Sequence, residues 1–133
     1  MARDLTVVLP DRPGALAELA EAFAEAGIGL LSACGYRARP GETWGILHVL
    51  VEDGDAAIKV AEEAGFQISA SQEVLLIDVE DRLGALAEIA RKLSDDGTNV
   101  DLLYLTPRMQ LVVGTDDLKE GREGVKTVDA RYP

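Results

Sequence analysis

A ten-residue segment occurs twice in this chain, and it fixes the architecture before anything else does. The first copy is Asp11-Arg12-Pro13-Gly14-Ala15-Leu16-Ala17-Glu18-Leu19-Ala20, and the second is Asp81-Arg82-Leu83-Gly84-Ala85-Leu86-Ala87-Glu88-Ile89-Ala90. The copies lie 70 residues apart and differ at two positions, Pro13/Leu83 and Leu19/Ile89. So close a match at a domain-sized spacing indicates duplication, which implies two similar small units in tandem. No long linker separates them. The boundary is placed near Ser71–Gln72, giving domains 1–71 and 72–133.

Each copy reads as a strand, a tight turn and the start of a helix. The runs before the two aspartates, Leu5-Thr6-Val7-Val8-Leu9 and Val74-Leu75-Leu76-Ile77-Asp78-Val79, are short and rich in branched apolar residues, as strands are. Beyond each glycine the apolar spacing becomes helical: Leu16, Leu19, Ala20 and Phe23 share one face, as do Leu86, Ile89, Ala90 and Leu93. Pro13, with its φ preset and no N–H to lose, fits a first helical turn. Gly14 and Gly84 have no Cβ and let another group approach the backbone. The first N–H groups of each helix have no partner within it, so the turn can hold a carboxylate. Asp11 and Asp81 are candidate helix caps. Arg12 and Arg82 are either solvated or paired with acids such as Glu18 or Asp101.

In the first unit, strands are expected over Asp4 to Leu9, Ile28 to Ala38, Thr43 to Val51 and Phe66 to Ser71. Helices are expected from Pro13 to Ala26 and from Asp55 to Ala64, closed by Gly27 and Gly65. The second unit repeats the pattern with strands over Glu73 to Val79, Asn99 to Leu105 and Met109 to Gly114, and a helix from Gly84 to Asp95 ended by Gly97. Its second helix, within Asp116 to Glu123, is expected only as short turns, because Gly121 and Gly124 interrupt it and Leu118 is nearly its only apolar residue. A last strand is expected over Val125 to Arg131. The order β-α-β-β-α-β is the split βαβ, or ferredoxin-like, unit.

Composition excludes several classes. The net charge of −11 is spread evenly, −6 over residues 1–70 and −5 over the rest, which disfavours nucleic acid and anionic membranes. No apolar run approaches the roughly 20 residues of a membrane span, and no signal-peptide pattern precedes the first strand. A cytoplasmic location is expected. The single cysteine, Cys34, allows no intrachain disulfide and reads as a small buried apolar residue. The single histidine, His48, reads as structural, and no metal site is expected. The strand around Ile46 and Leu50 is apolar on both faces, so a homodimer covering the second face is expected. No nucleophile–base pair, phosphate loop or dinucleotide fingerprint is present, so the chain does not read as an enzyme and no cofactor is implied.

The Asp-Arg-Pro-Gly-Ala-Leu turn, the helix ending in Gly27 and the later Gly97-Thr98-Asn99-Val100 resemble ACT domains, small regulatory modules of β-α-β-β-α-β order that sense amino acids. The resemblance spans the chain as two copies. It implies an α+β fold in which two ferredoxin-like units join side by side through their second strands, forming one antiparallel eight-stranded sheet with the helices on one face. It further implies amino-acid ligands at the interface between the two units. The favoured site is Asp11, Arg12, Pro13, Gly14, Ala15 and Leu16 with Asn99, Val100 and Asp101. Gly29 stands where the second copy has Asn99, so the mirror site, Asp81, Arg82, Leu83, Gly84, Ala85 and Leu86 with Gly29, Leu30, Leu31 and Ser32, is the weaker. The implied function is a small-molecule-binding regulatory protein with a possible partner enzyme of amino-acid metabolism. The alternative is an interaction protein with degenerate ligand sites that acts on a partner through its sheet edges or surface.

Overall fold

The computed structural model describes residues 2–116, and the chain divides into two compact units, Met1–Gln72 and Glu73–Pro133. The first unit runs β1 (Arg3–Pro10), α1 (Ala15–Glu25), β2 (Ser32–Arg37), β3 (Trp44–Val51), α2 (Gly54–Glu63) and β4 (Gln67–Glu73). Its sheet has the order β2-β3-β1-β4, with β3 antiparallel to both β1 and β2. Alternation along the strands sends Leu5, Val7, Leu47, Val49 and Val51 to one face. There they pack against Leu19 and Phe23 of α1 and Ala57 and Ala61 of α2.

The second unit runs β5 (Leu75–Asp78), α3 (Ala85–Asp95), β6 (Val100–Leu105) and β7 (Gln110–Thr115). Its described strands have the order β5-β7-β6, and Ile89 and Leu93 of α3 close a core over Leu75, Ile77, Leu111 and Val113. The expected second helix after Asp116 and the last strand, Val125 to Arg131, lie outside the described residues.

The helices end as the glycine placement predicts. In each, the N–H two residues past the cap reaches back to the last full turn: Ile28 to the Phe23 carbonyl, Phe66 to Ala61 and Thr98 to Leu93, each at 2.9 Å. Gly27, Gly65 and Gly97, all at positive φ, make the second bond of the motif.

Three sequence expectations need correction. The described strands form two sheets, of four and three strands, rather than one eight-stranded sheet; the ladders stop at β2 in one and at β6 in the other. The local cause lies in these two edges. β6 carries a register shift between Val100 and Leu102, and a bulged edge does not present an even row of partners. β2 begins only at Ser32, so Gly29, Leu30 and Leu31 precede the strand instead of starting it, tied to β3 by one bond from the Leu31 N–H to the Leu50 carbonyl. The third correction is at the helix start: α1 begins at Ala15, leaving Pro13 in the turn before it rather than in its first turn.

Candidate functional site

The duplicated decapeptide folds the same way twice. Gly14 has φ 92° and Gly84 φ 90°, each at the N-cap of its helix. That left-handed conformation strains any residue with a Cβ, which explains the glycine in both copies. In both turns the alanine N–H after the glycine bonds the arginine carbonyl at 3.3 Å, and the glutamate N–H four residues past the glycine bonds the glycine carbonyl. Neither cap has a side-chain hydrogen bond, so Asp11 and Asp81 do not cap their helices. A glycine occupies the capping position and has no side chain to offer, while Asp11 accepts instead from the Arg37 Nε at 3.0 Å. Among the described residues no acceptor meets the N–H groups of Leu16 and Ala17 or of Leu86 and Ala87.

The arginines resolve in favour of pairing. Arg12 forks onto Glu18 through Nη1 at 3.2 Å and Nη2 at 2.9 Å, and Arg82 forks onto Glu88 at 3.3 and 2.9 Å. These bidentate bonds hold Glu18 below the ordinary carboxylate range and raise both guanidiniums above theirs. Arg82 gains a third bond, from Nε to Glu80, where the first copy has Pro10. Each fork ties the turn to the first turn of its helix.

The remaining candidates fall into local groups. Asn99 is exposed, and its backbone is held by Asp116: the Asn99 N–H donates to the Asp116 carboxylate at 3.0 Å and the Asp116 N–H to the Asn99 carbonyl at 3.3 Å. Val100 and Asp101 lie at the β6 irregularity. Ser32 is buried at the start of β2, while Gly29 and Leu30 are exposed. Leu83 is fully exposed, and Leu16 and Leu86 are half-exposed. His48 places Nδ1 2.9 Å from the buried Asp4 carboxylate, on the sheet face away from the helices, with Cys34 as its cross-strand neighbour. Among the described residues no three metal-ligating side chains converge.

Beside the first turn lies a cleft of about 440 Å³, lined by Leu9, Asp11, Leu16, Gly35, Arg37 and Leu47 among others. Its volume is within the range of small-molecule sites. Its floor is the part of β2 and β3 that α1 leaves uncovered. Gly35 pairs with Leu47 and Ala33 with Val49, so both small residues face the helix side. Sequence reading did not single out Ala33, Gly35 or Arg37. The signal was in the repeat: in the second copy the same register positions are Leu103 and Leu105, and Pro107 lies in the turn beyond the strand.

Residues 3–64 match the ACT domain family. Among curated proteins no significant sequence match is found. The structure is similar to protein BT0572 from Bacteroides thetaiotaomicron, with 25% identity over 94% of this chain and 86% of that one and a TM-score of 0.81. It shares its fold with the regulatory subunit of aspartate kinase from Thermus thermophilus (15% identity, 99% and 93% covered, TM-score 0.74) and with that from Thermus flavus (14% identity, 99% and 93% covered, TM-score 0.70). No helix among the described residues is long and apolar enough to cross a membrane.

Proposed function

We propose that this chain, whose residues 3–64 match the ACT domain family, is a regulatory chain that binds an amino acid and passes the bound state to a partner enzyme of amino-acid metabolism. The observation that carries this reading is the first turn with its adjoining cleft. Two N–H groups at a positive helix end have no acceptor among the described residues, beside a small-molecule-sized space with a mainly apolar lining. An α-carboxylate suits those donors. The shared fold with regulatory subunits of aspartate kinase supports a role apart from catalysis. Within this proposal the ligand-contacting residues are Asp11 to Leu16, with Asn99, Val100 and Asp101 as the further candidates of the notional site and the second turn, Asp81 to Leu86, as a weaker one. A homodimer is the proposed assembly.

A thermal-shift screen of the full chain against the twenty amino acids tests the reading. A ligand at 100 times its Kd adds about 2.7 kcal/mol of stability, a readily measured displacement of the unfolding midpoint. Clear hits for one or a few amino acids support a sensor, and Asn99→Ala then decides whether Asn99 belongs to the site. A flat screen, repeated after unfolding and refolding to remove carried-over ligand, defeats it.

One observation favours the second reading, an interaction protein. Leu83, Val100, Leu103 and Leu105 of the second unit are all exposed large apolar side chains. Such side chains on and near a sheet edge offer a surface to another protein. A flat screen followed by specific capture of one enzyme would select this alternative.

A further inference from the structure

The two units share a turn but differ beside it, and the difference has a chemical direction. In the first unit the helix-side positions of β2 carry Ala33, Gly35 and Arg37. In the second, the equivalent positions of β6 carry Leu103 and Leu105, and the strand ends before Pro107, the residue 70 positions after Arg37. Gly35 leaves the floor of the first cleft open; a Cβ there would already stand 3.1 Å from Leu47 Cδ1. A leucine at the same place in the second unit puts a whole side chain into that space, and proline at 107 removes the cation.

The cleft in the first unit has one acid and one base, Asp11 and Arg37, against a lining that, apart from Tyr36, is otherwise apolar. They meet through a single hydrogen bond, Arg37 Nε to Asp11 Oδ2 at 3.0 Å. Among the described residues, the second Asp11 oxygen and the two terminal nitrogens of Arg37 make no hydrogen bond or ion pair. The pair is solvent-exposed, so in isolation it contributes little to stability. Its unused groups are a carboxylate oxygen and a guanidinium edge held side by side. A guanidinium edge matches a carboxylate, and a carboxylate oxygen matches an ammonium.

We infer that this cleft, and not its counterpart in the second unit, is a single site per chain for a zwitterionic α-amino acid with an apolar side chain. Arg37, together with the open N–H groups of Leu16 and Ala17, takes the α-carboxylate and Asp11 the α-ammonium, and the side chain lies over Ala33 and Gly35 against Leu9, Leu16 and Leu47. This rests on the amino-acid-binding reading above and narrows it. Side chains bearing a charge are rejected because the floor offers them no partner and would strip their water.

Isothermal titration of the full chain with L-leucine, L-isoleucine and L-phenylalanine tests this against L-aspartate, L-lysine, 4-methyl-2-oxopentanoate and 3-methylbutylamine. The expected result is one apolar amino acid bound per chain, with the charged amino acids, the oxo acid and the amine all weaker. Arg37→Gln should weaken the amino acid by about 10- to 100-fold and the oxo acid with it, while leaving the amine unchanged. Asp11→Asn should weaken the amino acid and the amine while sparing the oxo acid. Gly35→Leu, which gives the first unit the residue of the second, should abolish binding. Strongest binding of aspartate or lysine, two sites per chain, or unchanged affinity in both Arg37→Gln and Asp11→Asn would each overturn the inference while leaving the sensor reading intact. No binding by any amino acid would overturn both. The wild-type panel decides the ligand class without relying on any variant.

Discussion

Gly14 and Gly84 show how little side chain a turn needs when its backbone conformation is the requirement. Both sit near φ +90°, and a Cβ built on Gly84 meets nothing within 4 Å. Gly84→Ala therefore isolates the backbone cost from any clash. The expected loss is about 1–2 kcal/mol of unfolding free energy in denaturant titration, with the fold retained. A second residue-scale expectation concerns the forks. Glu18 titrates below the ordinary carboxylate range because Arg12 bonds and attracts its ionised form. A depressed folded-state value means that the stabilisation is present above the unfolded carboxylate pKa and lost as pH falls through the folded one. The stability difference between wild type and Glu18→Gln should thus be largest near neutral pH and low salt. It should shrink with added salt and vanish at acid pH below the Glu18 value. Chemical denaturation across a pH series checks it.

At the scale of elements, the helices divide into two kinds. α1 and α3 start from bare glycine caps braced by an arginine fork. α2 starts from Asp53, whose carboxylate accepts the Ala56 N–H at 3.1 Å. Asp53→Ala should cost about 1 kcal/mol, measured by denaturant unfolding, because it leaves a first-turn N–H without its partner. Phe23 contributes differently: it is fully buried between α1 and the sheet, and Phe23→Ala should cost about 3–5 kcal/mol through lost burial and the cavity left behind. These elements were legible in the sequence for physical reasons. Helix ends could be read because the conformation at Gly27, Gly65 and Gly97 selects for glycine and so leaves a mark. The start of β2 could not, since Ile28 to Leu31 are as apolar as a strand yet lie outside the ladder. Nor did apolar content show that the ladders would stop at β2 and β6, because strand-to-strand pairing at an edge depends on register and bulging. The cleft was hidden for a related reason. Alternation puts Ala33, Gly35 and Arg37 on one face, but only the observed register tells that it is the helix face, and only then does their contrast with Leu103 and Leu105 acquire meaning.

The whole molecule is an acidic one, with a net charge of −11. Like charges at this density repel in the compact state, and added salt screens them over about 10 Å at 0.1 M. The thermal midpoint should therefore rise between about 10 mM and 100 mM sodium chloride, as scanning calorimetry would show. A fall would mean that local pairs such as Arg12–Glu18 and Arg82–Glu88 outweigh the general repulsion. An anionic ligand approaching this surface works against the mean field, so its capture depends on local donors. That places a premium on the few unpaired N–H groups and on Arg37.

The matched turns give the chain an internal reference. The amides of Leu86 and Ala87 stand in nearly the same backbone geometry as those of Leu16 and Ala17, behind the same arginine fork, and share with them the lack of an acceptor among the described residues. Temperature, pH and denaturant act on both pairs through the same backbone environment. With a single site per chain, the second pair is the blank for the first in a hydrogen-exchange trace. A solute that slows exchange at Leu16 and Ala17 while leaving Leu86 and Ala87 unchanged identifies itself as an occupant of one turn rather than a general stabiliser, within a single sample and without a mutant for comparison.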